Sequence, residues 1–211
     1  MIPTLKVGYL VPGTIVKRLP HYDAFAVLLT GTEVIALLPD RYANKKSLLG
    51  QSVVAAVFRF DEGRMILSQR SPQYYRRILE LALAPLISED KVKVKRAASV
   101  ENGGFVKISV QSMNGIDPVK ESMPYLKDAR MYTDSTITLV RHSDDIKQYI
   151  ANALAPAPAG KITKVIYSGN LREATVRVDP QYYGLFVGKG GVNVATAAKL
   201  LDIKIFIKKA D

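Results

Sequence analysis

The sequence predicts a multi-domain protein in which a small all-β barrel precedes two α+β units. Up to about residue 70 the chain alternates like short strands separated by turn residues. From residue 71 onward helical periods interrupt the strands, and one order of elements occurs twice. Short sequence matches follow this repeat: Leu-Ala-Pro at 83–85 recurs at 154–156, and Asp-Pro at 117–118 recurs at 179–180. Agreement between these matches and the order of elements supports the internal repeat.

Composition limits the classes of function. The 211 residues are 48% hydrophobic, which is enough to bury cores, and carry a formal net charge of +11. That basic excess indicates a polyanionic partner, nucleic acid before an anionic membrane. No apolar run approaches the ~20 residues that span a bilayer, so we expect no membrane association. The absence of cysteine excludes disulfides and thiolate metal sites and is typical of the reducing cytoplasm.

The first part of the chain contains segments typical of strands. Turn residues separate them, including Pro12-Gly13 within the first segment and Gly31 after the second. The segments are 7–10 with 14–17, 25–29, 33–38, 53–60 and 64–67. Five strands at this spacing, with a basic total charge, predict a closed OB-type barrel over residues 1–70.

A barrel of this type binds nucleic acid by stacking bases on aromatic side chains and holding phosphates with basic ones. Tyr22 and Phe25, near the second strand, and Arg70, after the fifth, are the candidate RNA-binding residues. Two interpretations of Phe25 stay open, because an aromatic residue in an apolar strand is commonly part of the core. Tyr22 lies between His21 and Asp23 and is expected to be more exposed.

The first α+β unit is predicted over residues 71–142. Its opening helix has one apolar face and should end before Pro85. That face consists of Tyr75, Ile78, Leu79, Ala82 and Leu83. The elements that follow are strands at 92–94 and 105–110, a short helix after Asp117-Pro118 and a strand at 137–140.

The second unit is predicted over residues 143–211 and repeats the order α-β-β-α-α-β. Ser143 is the expected cap of its first helix, 144–154, and Asp179 with Pro180 should begin the next one. Strands are predicted at 164–167, 174–178 and 203–207. Val194, Ala197, Ala198 and Leu201 give the last helix an apolar face.

Between the last two helices lies Gly188-Lys189-Gly190-Gly191. Glycines there leave the backbone open to a ligand, and the N–H groups of the following helix, with Lys189, would favour a phosphate. A helix-GxxG-helix unit is how a KH module clamps single-stranded nucleic acid. The glycine spacing fits neither the phosphate loop of nucleotide hydrolases nor the dinucleotide fingerprint. An αα-turn with glycines chosen for φ alone stays an alternative.

The first unit differs at the equivalent place. No glycine occurs between Gly115 and Gly160, so the first unit has no GxxG, and bulky residues occupy 124–127. The interval before its last strand is also too short for a full second helix. We therefore expect a degenerate KH unit that serves as a spacer, or that offers a weak basic surface. The residues of that surface are Lys120, Lys127 and Arg130.

Several segments resemble the S1-KH1-KH2 core of bacterial NusA-type transcription elongation factors, over nearly the whole chain. Residues 149–156 (YIANALAP) match F-I-x-N-A-L-x-P, and residues 188–193 (GKGGVN) match the second KH loop, G-x-x-G-x-N. Residues 65–72 (MILSQRSP) are similar to the strand that runs into S-R-x-x-P. The segments 106–110 (VKISV) and 117–119 (DPV) are similar to K-I-x-V and D-P-V.

The resemblance implies an S1 barrel, two type II KH domains and RNA binding through the second loop. The implied RNA-binding residues are Gly188, Lys189, Gly190, Gly191 and Asn193. The sequence departs from the family where both glycines of the first KH loop are missing. The barrel begins almost at Met1, so we also expect the family's N-terminal polymerase-binding domain to be absent.

The function predicted from these observations is non-catalytic binding of single-stranded nascent RNA during elongation, termination or antitermination. Candidate partners are the RNA and RNA polymerase or other transcription factors, for a cytoplasmic monomer without cofactors. His21 and His142 lack metal-ligand spacing, and no nucleophile elbow occurs. Two alternatives stay open: an RNA-binding protein of the ribosome or of RNA processing, and a protein-interaction scaffold with vestigial KH units.

Overall fold

The computed structural model describes residues 5–45, 47–100 and 104–210. Its first part is a closed five-stranded barrel, as predicted, and the strand order is β1-β2-β3-β5-β4. The strands are β1 (Leu10–Leu19), β2 (Ala24–Leu29), β3 (Ile35–Pro39), β4 (Ser52–Asp61) and β5 (Arg64–Ser68). Alternate residues such as Ile15, Leu38 and Leu67 fill the interior, which is how a barrel this small excludes water. The OB-type barrel predicted from strand spacing is confirmed.

The predicted break at Pro12-Gly13 is wrong, because β1 is continuous through both residues. Gly13 is required by a close approach of β2: a Cβ at this position would lie 2.6 Å from Val27 Cγ1 and 2.8 Å from the Leu28 carbonyl oxygen. The Pro12 carbonyl accepts a hydrogen bond from the Thr30 N–H at 3.0 Å. Glycine at this position lets β1 and β2 approach each other closely, and it does not indicate a turn.

The first KH unit packs its helices on one face of a three-stranded sheet. Its elements are α1 (Pro72–Ala82), α2 (Ala84–Ser88), β6 (Val92–Ser99), β7 (Phe105–Ser112), α3 (Pro118–Ser122), α4 (Leu126–Arg130) and β8 (Thr136–Arg141). The strand order is β6-β7-β8, with β6 antiparallel and β8 parallel to β7. Ser71 caps α1 by accepting the Tyr74 N–H, and α1 ends before Pro85 as expected. The five-residue α4 confirms that no full second helix fits.

The second KH unit repeats this order. Its elements are α5 (Ile146–Ala153), β9 (Ile162–Ser168), β10 (Glu173–Val178), α6 (Tyr183–Val187), α7 (Val192–Leu201) and β11 (Lys204–Lys209). The sheet order is β9-β10-β11, with β9 antiparallel and β11 parallel to β10. The two α+β units of type II KH order are therefore confirmed. The exact domain boundaries at 70/71 and 142/143 stay a prediction.

The cap of α5 differs from the prediction. Asp145, and not Ser143, is the N-cap, because its carboxylate accepts the N–H groups of Lys147 and Gln148 at 2.8 and 3.0 Å. Ser143 instead accepts the N–H of Asp145 through its hydroxyl. Either residue type can cap a helix, and the helix here begins two residues later than the sequence suggested.

The two KH units pack against each other through the sheet of the first. Helix α7 lies against β6 and β7, and Ala98 and Val140 join the core of the second unit. As a result Val106–Val110 are buried on both faces of β7. Lys107 is fully buried there, and its ammonium donates to the Ala155 carbonyl oxygen and lies 5.3 Å from the Phe105 ring centre.

Lys107 should make stability depend on pH. Burial lowers its pKa to about 7, whereas an unfolded lysine keeps a pKa near 10.4. Below pH 7 the folded and the unfolded chain both hold the proton on Lys107. The cost of burying the charged ammonium then lowers the stability of the folded state in full. Above pH 7 only the unfolded chain holds it, so stability rises with pH up to the unfolded pKa.

We therefore expect the free energy of unfolding to rise by about 1 kcal/mol per pH unit between pH 7 and 9. Lys107→Met should remove this rise. Urea unfolding of both proteins across that range measures the difference between them. Parallel pH profiles would show that Lys107 keeps an ordinary pKa.

Candidate nucleic-acid interface

The GxxG loop lies between α6 and α7 at an exposed corner of the second KH unit. Asp179 begins the approach as predicted, since its carboxylate accepts the Gln181 N–H at 3.0 Å and Pro180 starts a 3-10 turn that leads into α6. Gly188 then ends α6 with φ +77°. The local sequence thus places a sharp reversal between two helices, as the glycine pattern predicted.

Positive φ angles shape this loop. Gly188, Gly190 and Gly191 have φ of +77°, +60° and +78°, a region that residues with a Cβ rarely adopt. A Cβ at Gly188 would lie 2.8 Å from both Cβ and N of Asn193, so this position also lacks space. A Cβ at Gly190 or Gly191 would meet no atom within 4 Å. The inner side of the loop is therefore packed, while its outer side is open to a ligand.

The electrostatics of the loop favour an anion. Lys189 is exposed at its tip, and within the described part of the chain no acidic side chain forms an ion pair with it. Helix α7 begins directly after the loop, and its N-cap, Gly191, offers no side-chain acceptor for the first N–H groups of the helix. Those groups carry the positive end of the helix dipole. One lysine and a helix N-terminus thus face the same open space, an arrangement suited to a phosphate.

Asn193 lies behind the loop. Its side chain is buried, with 3% of the residue exposed. The amide Nδ2 donates to the carbonyl oxygens of Leu154, Leu185 and Phe186 at 2.9, 3.1 and 3.0 Å. Two of these carbonyls belong to α6, so Asn193 joins that helix to the start of α7. The residue was predicted to bind RNA; the structure gives it the geometry of a clamp that holds the loop.

The buried face of α7 is wider than predicted. Ala197 and Leu201 are buried as expected, while Val194 and Ala198 are only partly buried. Asn193, Thr196 and Leu200 complete the buried face. The polar members were missed because polarity in a sequence indicates exposure. Thr196 satisfies its hydroxyl within the helix, by donating to the Val192 carbonyl at 2.7 Å.

The barrel candidates lie among basic side chains. Tyr22 is 59% exposed, and the Arg64 guanidinium lies 5.5 Å from its ring centre. Phe25 is half-buried against the barrel core, and the Arg18 guanidinium lies 4.7 Å from its ring centre. Phe25 therefore combines both interpretations of its role, since it packs against the barrel core and its ring face meets a cation. Whether these residues contact RNA stays a prediction.

Arg70 has a different environment. Its side chain is 9% exposed, its Nε donates to the Ala43 carbonyl at 2.6 Å, and a guanidinium nitrogen lies 3.3 Å from an Asp134 carboxylate oxygen. Asp134 belongs to the first KH unit, and Asn44 of the barrel likewise donates to the Tyr132 carbonyl. Arg70 thus holds the barrel to the first KH unit, and its predicted contact with RNA stays untested by the geometry.

The equivalent loop of the first KH unit is helical. Ser122, Met123, Tyr125 and Leu126 all have right-handed helical φ and ψ, so α3 and α4 are joined without a left-handed turn. No backbone cradle like that of residues 188–191 forms between these two helices. Lys120, Lys127 and Arg130, the residues of the predicted weak basic surface, are all exposed.

The described residues contain neither a candidate metal site nor a helix that could span a membrane. No group of three or more His, Cys, Asp or Glu side chains in 5–45, 47–100 and 104–210 could hold a metal ion. Across the same residues, no helix has the length and apolarity needed to cross a membrane.

The fold and the loop together define a protein with an S1-type barrel and two type II KH units, the second with an intact GxxG. Residues 146–211 match the family model described as the NusA-like second KH domain. The transcription termination/antitermination protein NusA of Halalkalibacterium halodurans is 34% identical, over 83% of this chain and 48% of that protein. NusA of Borreliella burgdorferi is 28% identical over 82% and 37%, and that of Thermus thermophilus 27% over 98% and 54%.

The chain is therefore similar to NusA-type proteins across the region that it shares with them, as the sequence motifs indicated. It spans about half the length, or less, of these relatives.

Proposed function

We propose that this chain is a non-catalytic RNA-binding factor that binds single-stranded nascent RNA and modulates transcription elongation, termination or antitermination. The observation that carries the proposal is the loop at 188–191, where an open backbone, an exposed lysine and a helix N-terminus face one space. The relatives support the same role, since each is named a transcription termination/antitermination protein.

In this proposal the second KH unit clamps the RNA. The backbone at Gly188, Gly190 and Gly191 meets the sugar-phosphate chain, and Lys189 pairs with a phosphate. Asn193 acts through the loop, because its buried amide fixes the position of α6 against α7. Tyr22 and Phe25 of the barrel offer stacking surfaces for a second stretch of the same RNA.

The cellular setting follows from this role. We infer a cytoplasmic protein that works as a monomer and meets RNA polymerase or other transcription factors at the transcript. The high positive charge, +11, suits an RNA partner and would speed its capture. Because the equivalent loop of the first unit is helical and forms no backbone cradle, we assign that unit the role of a spacer that orients the barrel and the second unit.

A salt series tests the proposal. Fluorescence anisotropy of a short single-stranded RNA should give submicromolar affinity at low salt. Because each phosphate contact contributes about −0.7 to the slope of log affinity against log salt, the ~4 nucleotides held by a KH unit predict a slope near −3. Affinity that is absent, or that does not change with salt, would favour a protein-interaction scaffold. Co-purification with ribosomal subunits and not with polymerase would move the function to the ribosome.

A further inference from the structure

The end of helix α5 is held from both KH units. Two adjacent carbonyl groups lie just past its last turn, where a helix leaves carbonyls without partners of its own. The Ala155 carbonyl oxygen accepts a hydrogen bond from the ammonium of Lys107, on β7 of the first unit. The Leu154 carbonyl oxygen accepts one from Nδ2 of Asn193, on α7 of the second unit, at 2.9 Å. The end of α5 therefore connects one residue of each unit.

Asn193 continues this connection to the GxxG loop. The same Nδ2 atom donates to the carbonyl oxygens of Leu185 and Phe186 in α6. A Cβ at Gly188 would lie 2.8 Å from Cβ and N of Asn193, so the first glycine of the loop lies directly against this residue. The contacts from Lys107 to the loop are thus continuous: an ammonium, the end of α5, a buried amide and the backbone of Gly188.

Lys107 is an unusual residue for its position. It is fully buried, and the sequences of the elements around it, β6, β7, β8, α5 and α7, contain no aspartate or glutamate. The contacts of its ammonium are the Ala155 carbonyl and the ring of Phe105, whose centre is 5.3 Å away. An apolar side chain of similar length would avoid the cost of burying a charge here. What the lysine supplies in place of that stability is a directed hydrogen bond to the end of α5.

We propose that Lys107 is a positioning residue for the RNA-binding loop of the second KH unit. Its hydrogen bond fixes the end of α5, Asn193 carries that position to α6 and α7, and Gly188 keeps the backbone geometry that meets the phosphates. The first unit thus does more than orient its neighbours, because its central strand sets the affinity of a loop in the other unit. This inference rests on the proposed RNA binding at residues 188–191 and adds to it a residue that touches no RNA.

Lys107→Met tests this role, since methionine is also unbranched and removes only the ammonium. Anisotropy with a short single-stranded RNA at about pH 6, below the pKa of Lys107, should show an affinity lower by about fivefold, a size typical of coupling through packed contacts. Amide exchange of β10 should stay as slow as in wild type, because removal of the buried charge offsets the lost hydrogen bond. A residue with a merely structural role would lose stability and affinity together.

Lys199→Met is the matched control. Lys199 on α7 also donates to a carbonyl oxygen of the other unit, that of Ser99 on β6, at 3.4 Å. The variant therefore removes the same charge and a hydrogen bond of the same kind between the units. Its acceptor is not at the end of α5 and its side chain is exposed, so the affinity should stay within about twofold of wild type.

Two further measurements follow the connection itself. The amide resonances of the three loop glycines should shift in Lys107→Met without RNA and keep their wild-type positions in Lys199→Met. In a protein that already carries Asn193→Ala, adding Lys107→Met should lower the affinity by less than about a further twofold, because changes along one network are not additive.

The outcomes distinguish this inference from the proposed function. If wild type binds no RNA, the proposed function is overturned and the positioning role of Lys107 with it. If wild type binds and Lys107→Met binds equally well, or loses affinity only together with the slow exchange of β10, the positioning role alone is overturned. Equal losses in the two lysine variants, or full additivity with Asn193→Ala, would likewise overturn that role and leave the loop as the binding site.

Discussion

Replacing Lys189 and Gly190 together by aspartate is expected to lower the affinity for single-stranded RNA by about 100-fold. The change removes a charge-assisted contact and places two carboxylates beside the phosphates, a loss of about 3 kcal/mol. The fold should survive, because Lys189 is exposed and a Cβ at Gly190 meets no atom within 4 Å. Aspartate also tolerates the left-handed φ of +60° better than most residues.

A matched control exists in the first KH unit. Lys120 is exposed, and Gly115 has φ +82° with no atom within 4 Å of a Cβ, so Gly115→Asp with Lys120→Asp makes the same chemical change. RNA anisotropy should show no more than a threefold loss for this pair. Equal losses for both pairs would mean that net charge, and not the loop, governs binding. An unchanged affinity for the Lys189 and Gly190 pair would remove the loop from the site.

Asn193→Ala should destabilise the second KH unit by about 2–4 kcal/mol. The substitution leaves the carbonyls of Leu154, Leu185 and Phe186 without their shared donor in a buried setting. RNA affinity should fall with it, since α6 and α7 then lose the contact that fixes the loop between them. Native-state amide exchange of β10 measures the loss within this unit, which a global unfolding curve of a multi-domain chain would blur.

Thr196→Val is the control for that experiment. Thr196 is buried on the same helix but donates only to the Val192 carbonyl of its own helix, so we expect a cost below about 1.5 kcal/mol. An Asn193→Ala protein with unchanged amide exchange and weaker RNA binding would mean that Asn193 contacts RNA directly, as its motif first suggested.

Local patterns in the sequence predicted most of the fold. Alternation along the barrel strands and helical periods after residue 71 report which face of each element is buried, and burial of one face is what stabilises these elements. The aspartates of the Asp-Pro pairs at 117 and 179 accept N–H groups that lie within three residues of them. Both helix starts could therefore be predicted from the sequence. The GxxG loop was also recoverable, because its backbone angles require glycine locally.

Residues whose role depends on distant partners were not recoverable in this way. Gly13 looked like a break because β2, which crowds it, is distant in sequence. Asn193 looked like a ligand contact, although its partners include Leu154, which lies 39 residues earlier at the C-cap of α5. Arg70 looked like a phosphate contact, yet it reaches Asp134 in another unit. In each case tertiary packing assigns the residue a partner that no periodicity encodes.

The burial of β7 on both faces has a consequence for how this chain can vary. In β10, buried and partly exposed residues alternate, so every second position can change without touching a core. In β7 the five positions from Val106 to Val110 are all buried: Val106, Ile108 and Val110 lie in the core of the first unit, and Lys107 and Ser109 lie on the face that the second unit covers. Mutational tolerance should therefore be asymmetric between two strands of equivalent topology. Of the two KH units, the first, which lacks the GxxG loop, therefore has the central strand that tolerates fewer substitutions.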